Sequence, residues 1–206
     1  VLQALAHIKQ NSLQLEKSVV VVFVADEESG EPGMGLSNGV KSALPVVQKK
    51  SLNPALAVYL EPTELNIYTA QMGFQIVDIE ITGKTSYFGK PELGIDALKI
   101  GHQILAKLWE HDKTIKLEMK HDLIGNSSLL VTAVNAGGLI AVPGTCTISL
   151  IRKVLPEESM EKSGQDLLAV VQSVEVVDGA EVKVIFSASR DHKFGGTPFE
   201  CDISNE

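Results

Sequence analysis

Residues 74–83 read FQIVDIEITG, and the alternation of apolar with polar side chains decides what kind of sheet this part of the chain builds. A period of two sends Val77, Ile79 and Ile81 to one face and Asp78, Glu80 and Thr82 to the other. Such a strand belongs to an antiparallel sheet with one face covered and one face wet. Downstream, GIDALKIGHQILAKLWEH (94–111) carries Ile95, Leu98, Ile100, Ile104, Leu105 and Leu108 as a helical face. SSLLVTAVNAGG (127–138) and GTCTISLIRKVLP (144–156) read as strands, PEESMEKSGQDLLAVVQSV (156–174) as a helix with acidic residues in its first turn, and AEVKVIFSAS (180–189) as a closing strand. The order β, α, β, β, α, β predicts a ferredoxin-like sandwich with two helices on one face of a four-stranded antiparallel sheet.

Upstream of residue 70 the pattern is different. VVVVFVA (19–25) is apolar at every position, as a central parallel strand between helices would be, and PALAVYLEPT (54–63) reads as a second buried strand closing on Pro62. Val1, Leu2, Leu5 and Ile8 fall near helical spacing, and GMGLSNGVKSALPVV (33–47) predicts another helix. The expectation is therefore an α/β, doubly wound piece over residues 1–69, an inserted α+β sandwich over 70–187, and a return segment over 188–206.

Composition narrows the function classes. With 206 residues, 44% of them hydrophobic, the chain has material for a core. Its 18 basic residues face 26 acidic ones, a net charge of −8 that repels a phosphate backbone, and aromatics at 5% leave little for base stacking, so no nucleic-acid partner is expected. Nothing approaches a membrane-spanning apolar run, and VLQALAHIKQ lacks the pattern of a signal peptide, so no membrane partner is expected either. Cys146 and Cys201 are too few for a disulfide framework, which suggests a reducing, cytoplasmic setting.

The chemistry concentrates where the first apolar run stops. Asp26, Glu27 and Glu28 follow VVVVFVA directly, and Glu61 ends the second run. Open α/β sheets bind ligands outside the carboxyl ends of their strands. Carboxylates gathered at one such edge repel one another unless a cation neutralises them, and oxygen donors suit a divalent metal. Neighbouring residues leaving a strand diverge, so Glu28 could ligate a metal while Glu27 faces water as a general base. From spacing alone, a solvated acidic loop capping the next helix is the commoner origin of such a triplet.

The whole pattern narrows this choice. ADEESGEPGMG (25–35), LEPT (60–63), GKTSYFGKPELGIDALK (83–99), and GG followed by VPGTCTISLIRKVLPEES (142–159) resemble, in order and spacing, the acetylornithine deacetylase, succinyl-diaminopimelate desuccinylase and aminoacylase family of dinuclear zinc metallohydrolases, which also includes di- and tripeptidases. The resemblance implies that Glu27 is the general base and acid acting on a zinc-bound water, and that Glu28 and Glu61 are metal ligands. It implies two zinc ions, with cobalt or manganese as alternatives, and an N-acyl amino acid or short peptide as the small-molecule substrate. The sandwich is then a lid that also forms a homodimer, and Arg152 meets a substrate carboxylate. On its residues alone, Arg152 could equally be a surface arginine on an edge strand.

Departures from the family pattern carry as much information. The family writes G-K-x-A-H-x-G where this chain has Gly83 to Gly89 with Tyr87 in place of the histidine that helps stabilise the oxyanion. A phenol can donate a hydrogen bond there but cannot carry the imidazolium charge. The family often has Asn before the V-x-P of the lid, where Ile140 and Ala141 stand. Its H-x-D motif, bridging Asp and final His have no counterpart, and His7, His102, His111, His121 and His192 lack ligand spacing. The expectation is an internal piece of a longer amide hydrolase, inactive by itself. The alternatives are a catalytically impaired homologue serving as a binding or dimerisation protein, and a sandwich module unrelated to hydrolysis.

Overall fold

A computed structural model describes residues 1–25, 37–50, 54–186, 192–202 and 204. The elements are α1 (Leu2–Gln10), α2 (Asn38–Lys49), β1 (Ala70–Gln71), β2 (Gly73–Thr82), a 3-10 turn (Pro91–Leu93), α3 (Ala97–Glu118), β3 (Lys120–His121), β4 (Gly125–Asn126), β5 (Ser128–Ala136), β6 (Thr145–Val154), α4 (Met160–Gln172), β7 (Glu181–Phe186) and β8 (Phe199–Glu200).

The sandwich forms as its periodicity dictates. Strand order is β5-β6-β2-β7, all neighbours antiparallel, with β2 and β6 paired over their full lengths from Gly73↔Val154 to Thr82↔Thr145. Along β2 the inward set Val77, Ile79 and Ile81 is buried, and along β6 so are Cys146, Ile148 and Leu150. These residues meet Ile100, Ile104 and Leu108 of α3 and Leu167 and Val171 of α4 in one core. Asp96 caps α3 by accepting from the backbone N–H groups of Leu98 and Lys99 at 3.0 and 3.2 Å, and Ser159 caps α4 by accepting from Lys162 N–H at 3.3 Å. Helix α3 approaches the sheet closely because Gly101 has no Cβ, which would otherwise stand 2.7 Å from the Cys146 sulfur.

The first part of the chain behaves differently. Residues 19–25 and 54–61 form no helix or strand, and among the described residues neither run pairs into a ladder. Val20, Phe23, Val58 and Leu60 stay exposed, and α1 and α2 bury none of their residues. A parallel strand is defined by hydrogen bonds to both neighbours and by helices over both faces, and the described residues before 70 supply no such neighbours.

Both chain crossings into the sandwich lie at one end of it. Strands β1 and β8 pair as Ala70↔Glu200 and Gln71↔Phe199, Cys201 N–H donates to Thr69 C=O at 2.7 Å, and Phe74 exchanges backbone hydrogen bonds with Gly196, each 3.0 Å. The segment expected only to return toward the first part therefore packs on the sandwich. Phe194 is buried against Val154, Met160 and Phe186, its ring edge-on to Phe186 at 4.6 Å, while Lys193 pairs with Glu161 at 3.0 Å. His121, only 3% exposed, ties the same end together. Its Nδ1 accepts from Leu123 and Ile124 N–H, which leaves the proton on Nε2, 3.4 Å from Glu200.

Candidate active site

Two loops meet at the far end of the sandwich, the length of β2 away from the crossings, or about 30 Å at the usual rise of an antiparallel strand. Residues 83–96 join β2 to α3, and residues 137–144 join β5 to β6. They are laced together by Gly83 N–H to Gly144 C=O at 2.8 Å, Val142 N–H to Ser86 C=O at 2.8 Å, and Phe88 N–H to Ile140 C=O at 3.2 Å. Lys84 and Ile95 exchange backbone bonds of 2.9 and 2.8 Å, and the Ser86 hydroxyl donates to Lys90 C=O at 2.8 Å. The two loops are thus tied to each other through their backbones.

Tyr87 sits at the tip of this loop pair, bridged to Ala141. Its ring lies against that of Phe88 with centroids 4.6 Å apart and planes inclined by 55°. Both rings are 59% exposed, and Ile140 beside them is 65% exposed. Phe88 is the residue the sequence reading missed, although two adjacent aromatics inside a glycine-bounded loop were visible there as a signal.

Arg152 does not lie on an edge strand. Strand β6 is flanked by β5 and β2, and Arg152 points to the helix-covered face with 2% of its surface exposed. Its guanidinium meets Glu158 at 2.6 Å, and the second oxygen of Glu158 accepts Leu155 N–H at 2.8 Å. The Arg152 fork is therefore held by the turn between β6 and α4. His111 lies near this pair. Burial, and after it the Arg152 charge, lowers its pKa below the ordinary value.

Glu27 and Glu28 lie outside the described residues. Glu61 is exposed. Among the described residues no three His, Cys, Asp or Glu side chains converge as a metal cage. Carboxylates are chemically suited to a divalent cation, but Glu61 stands apart from Tyr87 and Arg152 in the chain order and supplies only one donor residue of such a site.

The profile of the peptidase dimerisation domain matches residues 69–178. An acetylornithine deacetylase of Myxococcus xanthus is 25% identical over 188 residues, covering 87% of this chain and 46% of that protein. An acetylornithine deacetylase of Buchnera aphidicola from Schizaphis graminum is 25% identical over 142 residues, covering 68% of this chain and 34% of that protein. The chain thus spans between a third and a half of the length of these curated relatives. Among solved structures, a hydantoinase/carbamoylase family amidase from Burkholderia ambifaria shares the fold, with a TM-score of 0.51 at 13% identity over 66% of this chain and 31% of that one. The order and pairing of β2, α3, β5, β6, α4 and β7 fall within the matched span or directly after it, and on that match the chain belongs to the peptidase dimerisation domain family.

Proposed function

We propose that this chain is part of a metal-dependent amide hydrolase acting on N-acyl amino acids or small peptides. The observation that supports this reading is the dimerisation-domain match over residues 69–178, preceded in the same chain by Glu27, Glu28 and Glu61 in their motif contexts. In this reading Glu28 and Glu61 would each supply a carboxylate to a site for two zinc ions, or cobalt or manganese in their place, whose charge would polarise the amide carbonyl. Glu27 takes the proton of the attacking water and returns it to the leaving amine. Tyr87, carried on the rigid loop pair, offers its hydroxyl as a neutral hydrogen-bond donor toward the substrate. Arg152 could reach a substrate carboxylate only after Glu158 released it, so we assign it to holding the turn before α4. The sandwich pairs two copies into a homodimer through an exposed sheet edge.

The experiment is hydrolysis of N-acetyl and N-succinyl amino acids and dipeptides by the full-length protein that contains this chain. Metal-dependent turnover that a chelator removes is the expected result. A second reading, an impaired homologue that binds without turning over, is favoured by Tyr87 and Ile140 standing where the resembled family has polar groups. Binding of the same compounds with no turnover would select it.

A further inference from the structure

We propose that Tyr87, Phe88, Leu139 and Ile140 form an apolar clamp that selects substrates with an uncharged aromatic or branched aliphatic group. The inference rests on the hydrolase reading for the site's location and on four observations for its chemistry. First, the four side chains are exposed by 59%, 59%, 103% and 65%, although all are apolar or nearly so. Second, the two loops that carry them are joined by backbone hydrogen bonds, including Phe88 N–H to Ile140 C=O at 3.2 Å, and the Tyr87 and Phe88 rings already lie against each other, so the loops are set side by side before anything binds. Third, the backbone donors of Phe88, Lys90 and Val142 are bonded within the loops, and the Tyr87 hydroxyl adds a neutral polar group to the patch. Such a surface gains from hydrocarbon, and none of its four side chains carries a charge.

The fourth observation is size. A fully buried aromatic side chain covers about 150–250 Å². Three side chains exposed by about 60% and a fully exposed Leu139 therefore offer on the order of a few hundred Å², under the roughly 800 Å² per partner of a stable protein interface. One substrate side chain or acyl group matches that area, whereas a second copy of the chain would need far more. The exposed rings also bear on catalysis, because a hydrophobic contact closing over the substrate would exclude water from the loop side of the reacting amide.

The test compares kcat/KM of the full-length protein for N-acetylphenylalanine and N-acetylleucine with that for N-acetylornithine and N-acetylglutamate. It is repeated in Phe88→Ala and Ile140→Ala, with circular dichroism confirming that both fold. The expected result is a preference of at least about tenfold for the apolar pair, carried in KM, that falls about tenfold in either variant. Equal losses on apolar and charged compounds, or no preference at the outset, overturn the clamp while leaving hydrolysis standing. If no compound is turned over, the hydrolase reading fails, and calorimetric binding of N-acetylphenylalanine decides the clamp separately. Binding weakened about tenfold by Phe88→Ala supports it, and unchanged binding overturns it. Phe88 and Ile140 protected from solvent labelling in the ligand-free full-length protein would show the patch covered by another part of the chain or a second copy, and would also overturn it.

Discussion

The guanidinium of Arg152 and the carboxylate of Glu158 meet at 2.6 Å inside the sandwich, with 2% and 5% of their side chains exposed. Strand β6 delivers the arginine to the covered face, and the turn into α4 brings the glutamate back over it. Removing one partner strands the other as an uncompensated buried charge, at a cost of about 3–5 kcal/mol. Arg152→Ala should therefore lower the free energy of urea unfolding by that amount. Arg152→Met combined with Glu158→Leu should recover most of the loss. A stability change under about 1 kcal/mol in Arg152→Ala would mean that the pair is solvated in solution.

His111 makes stability depend on pH. Its pKa is lowered from 6.5, chiefly by burial and then by the Arg152 charge. A base depressed in the folded state binds fewer protons there than in the unfolded chain, so stability rises with pH across the window. The stabilisation is fully present above pH 6.5, is lost progressively as pH falls from 6.5 toward the lowered value, and levels off below it. Melting temperatures of the native protein and of His111→Asn should diverge on the two sides of that window. Parallel pH profiles for the two would contradict the assignment.

Phe194 anchors the return segment to the sandwich. Its ring fills the space left by Gly164, where a Cβ would stand 2.6 Å from the ring carbons, and rests on Phe186. Phe194→Ala should cost about 3 kcal/mol and raise amide exchange through β8 and residues 192–196 while leaving α3 protected. Uniform loss of protection across the sandwich would instead place Phe194 in the global folding core.

Dimerisation should use the edge strand β5, the longer of the two open edges at nine residues against six for β7. Leu130 and Val134 are exposed on it by 62% and 42%. Val134→Lys places a charge on that edge, a common way in which proteins block strand pairing. Light scattering should find a monomer in this variant and a dimer in the parent. A dimer that survives the change would move the interface to β7 or to the helices.

What could be read from the sequence followed from how local each signal was. The alternation in residues 74–83 needed only the chain's own helices to become true, and β2 buries the three residues that it specified. Asp96 sits at the start of α3, where a carboxylate can accept two free N–H groups, and the helix begins there. Val19 to Val24 could not be resolved in the same way, since an apolar run becomes a central strand only when others flank it. The burial of Arg152 was hidden because its role depends on Glu158, a partner six positions away whose direction only the turn sets. The contact between Phe88 and Ile140 joins two loops separated by the whole of α3 and β5, and no spacing rule reaches that far.

The role of Glu27 as the base is decided by the turnover of the full-length, metal-supplied protein with and without Glu27→Gln, a change that keeps shape and removes the base. In Glu27→Gln kcat should fall by about 10² to 10⁴ while metal content is unchanged. Turnover equal to that of the unaltered protein would show that Glu27 is not the base, and the hydrolase reading of the acidic run at residues 26–28 would fall with it.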